Sequence, residues 1–554
     1  MLLWTRRALR ENQIMPRLNH SAILALMLAA CSFTQPASSQ EVTIFSPAIP
    51  VVVDREYNIL AEIKIVCEED ASVLNEVDVC IGGLPLKAVR DIRLVGSGTA
   101  SSLRSRSTNF VLQSEVKRIG GGQDVWCNPS FVKVLAEKKS ATKEKLTLSP
   151  RAKLRKGDNY MYVSARINGK RLTDISLPFT VTVDKVVING QANVPEQSGA
   201  AEKRLGVSVR QHGDDGVYAY RIPGIVTSKK GTLISVYDIR YESSLDLQNN
   251  IDIGVSRSTD GGRSWGPMIK AIDMGEWGGL PEAQNGVGDP AILVDETTGR
   301  LYIAALWTHG IGANRAWTAA GQGITPEETG QIVLAYSDDD GITWSKPENI
   351  TSQVKKPEWY LTLQGPGRGI TMKDGTLVFP IQHIGSDRIP CAGIMYSRDG
   401  GCTWTTHEHA RTNTTEAQVA ELQDGSIMLS MRDNRKTGRA VSTTSDMGRS
   451  WTEHPSSGSL PEPVCMASII SSGDYLLFSN PAVPAGAGRN HTTVRLSRDG
   501  GNSWNNGILL DEEENWGYSC MTMIDGDTVG ILYESSVSQL LFQAVKLKDL
   551  LSAE

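Results

Sequence analysis

From Glu41 to Val187 apolar and polar residues alternate in short runs between turn residues, as in VTVDKVVI and NYMYVSARI. A period of two marks strands with one buried face, so residues 41–188 are expected to form a β-sandwich. The run Asn189 to Lys203 (NGQANVPEQSGAAEK) loses that period and is rich in small polar and turn residues. It reads as a linker spanning residues 189–204. The lysine-rich segment Lys138 to Lys156 reads as a solvated strand-and-loop surface in preference to a glycan-binding patch.

Strand-like runs resume over residues 205–554, now with a repeat. Ser-x-Asp-x-Gly-x-x-Trp occurs at Ser258 to Trp265, Ser337 to Trp344, Ser397 to Trp404 and Ser497 to Trp504, and a copy beginning with threonine runs from Thr444 to Trp451. The intervals between starts are 79, 60, 47 and 53 residues. Each copy suits a hairpin turn: the aspartate accepts backbone N–H groups, the glycine takes a positive φ, and the tryptophan packs between sheets. Dividing the 347 residues from Leu205 to Leu551 by a period of about 60 gives six units. The expected fold is all-β: a six-bladed β-propeller of four-stranded blades behind a β-sandwich accessory domain. The boxes themselves are structural and carry no catalysis.

Charge and cysteine content narrow the partners. The chain carries 56 basic and 62 acidic residues, a net −6. Residues 1–30 hold four arginines and one acid, and removing them leaves 52 against 61, or −9. Nucleic acid is therefore not an expected partner, since phosphate binding needs a basic footprint. Those arginines precede the apolar stretch Ser21 to Ala30 and then Cys31, so residues 1–40 read as an export signal and tether. The string LAAC resembles a bacterial lipoprotein box with Cys31 as the lipidated residue; cleavage near Ala37 to Gln40 is the alternative, and Met15 is a second candidate start. The expected location is exported: an outer-membrane or surface lipoprotein, or periplasmic, with the membrane reached only through a lipid at Cys31. Seven further cysteines are scattered without a close CxxC pair, and His407 and His409 read as a polar strand face. No metal or cofactor is expected.

The chemistry lies between the boxes. Arg221 stands in YRIPGIV, Arg240 in SVYDIRYE, Asp246 in SSLDLQNN, Asp289 in GVGDPAIL and Glu416 in TTEAQVAEL. Arg432 stands in LSMRDNR, Arg489 in GAGRNHTTVRLS, Tyr518 in WGYSCMTM and Glu534 in GILYE. Arg-Ile-Pro ahead of an apolar strand, followed by repeated aspartate boxes, resembles the bacterial exo-α-sialidases (neuraminidases) of glycoside hydrolase family 33, and the resemblance covers essentially all of residues 205–551. It implies an arginine triad of Arg221, Arg432 and Arg489 and a tyrosine nucleophile, Tyr518, partnered by Glu416. Asp246 is implied as general acid/base, Glu534 as the acid that orients Arg221, Arg240 as lining the pocket for the sugar's 4-hydroxyl and N-acetyl groups, and Asp289 as another pocket carboxylate. Glu421 competes with Glu416 on the same strand but faces the other way, and Tyr533 competes with Tyr518 but reads as core. The loop Trp307 to Ala320 and the string around Gln364 are expected to rim the pocket.

The set is chemically coherent. Sialic acid carries a carboxylate on its anomeric carbon, and guanidiniums grip such a group bidentately while keeping their charge. A carboxylate nucleophile would meet like-charge repulsion of roughly 4 kcal/mol at about 4 Å. A neutral phenol avoids it, given a base to take its proton and neighbouring arginines to favour the phenolate. The implied function is retaining hydrolysis of terminal sialic acids from glycoproteins, oligosaccharides or glycolipids through a tyrosyl-sialyl intermediate. Transfer to another glycan and intramolecular formation of an anhydro sugar would use the same residues. A non-catalytic lectin would have no use for Tyr518, Glu416 or Asp246 together.

Overall fold

The computed structural model describes residues 40–99 and 133–553, so the segment expected to serve export, with Cys31, and also Cys127 lie outside the described residues. The N-terminal unit is a sandwich of two sheets. One runs in the order Glu196–Gly199, Glu41–Ser46, Ile59–Cys67, Gly157–Ile167, Val89–Thr99 and Lys133–Ser140. The other is built on Phe179–Ile188, Val73–Gly82 and Lys145–Leu148. Alternation fixes the faces: Val42 and Ile44, and Val181 and Val183, point into one apolar core while their neighbours face out.

The expected linker is not a free tether. Gln191–Asn193 and Glu202–Lys203 pair with Phe179–Ile188, and Glu196–Gly199 pairs in parallel with Glu41–Ser46. Edge strands need only backbone partners on one side, so they leave no hydrophobic period in the sequence.

Six sheets follow, antiparallel except where a short extra strand pairs in parallel in the second and sixth. Their inner strands are Ala219–Thr227, Val287–Val294, Thr362–Gln364, Thr414–Glu421, Ser468–Ser472 and Ser519–Met523. Ser519–Met523 also lies against Ala219–Thr227, which closes the ring. Three blades have four strands. The second gains Gly367–Arg368, the third has its inner and outer strands split in two, and the sixth gains Val51–Val52 from the sandwich. The sixth blade also joins chain-distant pieces: Leu205–Arg210 pairs with Leu540–Lys546, with Val207 opposite Phe542.

The five boxes sit after the third strands of the first five blades and repeat one hydrogen-bond pattern. In the first, Ser258 Oγ donates to Asp260 at 2.8 Å, Gly262 N donates to Ser258 Oγ at 2.9 Å, and Ser264 N and Oγ donate to Asp260 at 3.0 and 2.7 Å. Gly262 has φ of 87°, and a Cβ there would lie 2.0 Å from the Phe542 ring. Only glycine meets both demands. Four of the box tryptophans pack on apolar clusters drawn from two consecutive blades, and Trp265 packs against Phe542 at 5.4 Å in the cluster that also holds the sandwich core.

The two units share a core. Ile49, Val52, Ile59 and Tyr162 of the sandwich are buried with Leu477, Val494, Ile531 and Leu541 of the fifth and sixth blades. Arg55 Nη2 donates to Val537 O at 2.6 Å, and Glu512 N donates to Ala48 O at 2.9 Å. At roughly 1.5–3 kcal/mol for each large apolar side chain left exposed, a propeller cut free at residue 204 is expected to melt well below the full chain or to aggregate. Thermal unfolding of the two proteins side by side checks this, and equal midpoints would refute it.

Candidate active site

A cavity of about 710 Å³ opens where the inner strands begin. Three of those strands bulge at this level: register shifts fall between Arg221 and Gly224, between Gly288 and Ala291, and between Thr414 and Ala417. Bulges re-aim side chains, and these three turn Arg221, Asp289 and Glu416 into the cavity. The cost is local strain. Ile222 has φ of 59° and Asp289 of 56°, each just before a proline, at about 1–3 kcal/mol apiece.

Arg221, Arg432 and Arg489 converge from the first, fourth and fifth blades, and all three line the cavity with Tyr518. Glu534 fixes the first of them. Its carboxylate accepts Arg221 Nε at 2.8 Å and Nη2 at 3.2 Å, and also the backbone N–H groups of Ile222 at 3.1 Å and Tyr518 at 3.2 Å. One buried carboxylate thus sets the first arginine and the backbone of the tyrosine together. Arg221 lies over the Trp516 ring at 4.1 Å, and Arg489 Nη1 donates to Trp516 O at 2.8 Å.

Tyr518 Oη donates to Glu416 Oε1. The other oxygen of Glu416 accepts Arg432 Nη1 at 2.6 Å, and that nitrogen lies 3.4 Å from Tyr518 Oη. The arginines were expected to favour the phenolate. Burial and then Glu416 instead push the Tyr518 hydroxyl well above the usual phenol range, with Arg432 and Arg489 pulling only partly against them. The resting group is a phenol with its proton aimed at a carboxylate. Glu421 lies at the far end of the same strand, where it accepts Lys373 N at 2.9 Å; Tyr533 is buried and donates to Gln543 at 2.8 Å.

Asp246 lies across the cavity with a side chain 57% exposed. Burial acts to raise it, but Arg240 and Arg221 hold it below the ordinary carboxylate range. Arg240 is not a wall of the cavity: its side chain is 1% exposed and is consumed in holding others. It donates to Asp238 at 2.8 and 3.0 Å, to Asp246 at 2.8 Å and to Ser244 O at 2.7 Å. Asp238 also accepts Asp289 N at 2.9 Å. Burial, with Asp238 and Asp246 close by, pushes Asp289 well above the usual carboxylate range.

Arg315 to Thr318 line the cavity as the expected rim, whereas Trp307 is core, packed at 5.0 Å on Trp277. Gln364 is buried and donates to Asp289 O. Asp238, Trp516, Gln382 and Asn413 went unread in the sequence. Asp238 had a signal: it stands two residues before Arg240 on one strand, hence on the same face.

Two family models match the chain: one described as a BNR repeat-like domain, over residues 239–531, and one as the N-terminal domain of BNR-repeat neuraminidase, over residues 39–192. The sialidase of Bacteroides fragilis is 46% identical over 544 residues, 96% of this chain and 99% of that one. The chain belongs to the BNR-repeat neuraminidase family. A solved structure, the Hadza microbial sialidase Hz136, superposes on this neuraminidase with a TM-score of 0.85 at 47% identity, covering 92% of this chain and 99% of that one. The sialidase of Micromonospora viridifaciens is 29% identical over 58% of this chain and 51% of its own. As a neuraminidase, the protein is an exo-α-sialidase, a glycoside hydrolase whose site gathers four cavity-lining arginines within a chain of net negative charge.

Proposed function

We propose that the enzyme hydrolyses terminal sialic acids from glycoconjugates with retention, through a covalent sialyl intermediate on Tyr518. The hydrogen bond from Tyr518 to Glu416, set among three arginines, carries this reading. Arg221, Arg432 and Arg489 grip the sugar carboxylate. That anion offsets the pull of Arg221 on Asp246, so substrate binding raises the proton affinity of the group that must act as acid.

Asp246 gives its proton to the glycosidic oxygen as the bond to the anomeric carbon breaks. The Tyr518 oxygen attacks that carbon through an oxocarbenium-like transition state, and its proton passes to Glu416. In the second half Asp246 takes a proton from water, the hydroxyl displaces tyrosine, and Glu416 returns its proton. Two inversions give net retention. Asp289, which lines the cavity, offers its carboxyl group to a polar group of the sugar.

Proton NMR of the first product from a sialyl-α-linked substrate tests the reading. The α-anomer is expected first, with slow conversion to β. Initial β-anomer would overturn the double displacement, and an anhydro sugar would assign the intramolecular variant.

A further inference from the structure

We propose that His383, Cys391 and His409 form a binding site for one soft divalent transition-metal ion of the zinc class, a staple across the third blade and separate from the catalytic groups. Two of the residues come from paired strands and the third from the connection beside them. His383 lies next to the end of the strand Leu377–Ile384, and Cys391 is its direct partner on Pro390–Ser397. His409 precedes Arg411–Thr412, which pairs with Cys391 and Ala392. One ligand atom from each residue lies within 4.8 Å of the other two. Zinc bonds of about 2.0–2.3 Å require donors some 3.3–3.8 Å apart, so at most roughly 1.5 Å of closure is needed. The exposed His409 can supply it by turning its side chain.

His383 is the decisive observation. It is 5% exposed and stacked on Trp359 with ring centroids 3.7 Å apart and planes 9° from parallel. Among the described residues, neither of its ring nitrogens has a hydrogen-bond partner. Those nitrogens are not among the fully enclosed unpartnered atoms of the described residues, so one of them remains open to a bound cation. The Cys391 thiol makes only a weak contact to Ile389 O at 3.7 Å.

One thiol and two imidazoles suit zinc, copper or cobalt and exclude calcium and magnesium, which prefer oxygen. On binding, the S–H bond is replaced by a sulfur–metal bond and the proton leaves to water; nothing is oxidised. A fourth coordination position stays open to solvent. Gln382 and Pro390, chain neighbours of two ligands, line the catalytic cavity, so the staple would pin the turn between them at its edge.

The test uses the full chain, stripped with a chelator and titrated with cobalt(II). One equivalent is expected to bind with a thiolate-to-cobalt charge-transfer band, displaced by zinc but not by calcium. Cys391→Ser should lose the band and His409→Ala should weaken binding at least about tenfold. His407→Ala, altering a neighbour bonded to Tyr396 at 3.0 Å, should change neither. Absence of equimolar binding overturns the proposal, as does binding unchanged in His409→Ala, whose exposed position keeps it informative even if Cys391→Ser fails to fold.

Discussion

Tyr518→Phe lowers turnover of a fluorogenic sialoside by about three orders of magnitude or more, a loss of roughly 4 kcal/mol in transition-state stabilisation. The expectation follows from how little else the hydroxyl does. Its proton goes to Glu416, and Glu416 keeps its 2.6 Å bond to Arg432 once the hydroxyl is gone. The ring remains to pack against Cys465, Met466 and Ile222. The melting temperature should therefore stay within a few degrees of the parent. Initial rates and a melting curve from one preparation check both halves. Retention of a tenth of the parental turnover would remove tyrosine from the chemistry, and a collapsed melt would make the loss structural.

Glu534→Gln is expected to cut kcat/KM by roughly 10- to 100-fold, the value of a charge-assisted bidentate pair at about 1.5–3 kcal/mol. Glu534→Ala should do more, because it strips the partner from the buried Arg221 guanidinium. Breaking such a pair costs about 3–5 kcal/mol of stability. The residue also accepts the backbone N–H groups of Ile222 and Tyr518, so both ends of the substrate clamp lose their reference point. Denaturant midpoints and steady-state kinetics separate the effects: Gln keeps an acceptor and regains stability, while KM stays raised. Parental KM in both variants would contradict the role given to Glu534.

What could be read in advance depended on how local the physics was. The boxes were legible because Asp260 and its equivalents form their bonds within four residues. The arginines and Tyr518 were legible through their short flanking strings, which also encode the bulges: Ile222 and Asp289 each stand before proline. The segment 189–204 misled because its edge strands pair through backbone alone. Arg240 misled because its strand places it beside Asp238, a partner strong enough to hold it in the interior. The electrostatics of Tyr518 needed coordinates, since burial outweighs the arginines. The cluster of His383, Cys391 and His409 left no spacing signature, because its members meet across strands.

The closure of the ring sets an order of events during synthesis. Val207 meets its partner Phe542 only after more than three hundred further residues have been made, at about 5–20 residues per second a wait on the order of 20–70 seconds. Arg221 waits almost as long for Glu534. The catalytic clamp is thus among the last features a growing chain can complete. Meanwhile Leu205 and Gly206 can already pair with Val51 and Val52, so the sandwich, first off the ribosome, can shield one side of the orphaned strand against pairing with a neighbouring nascent copy.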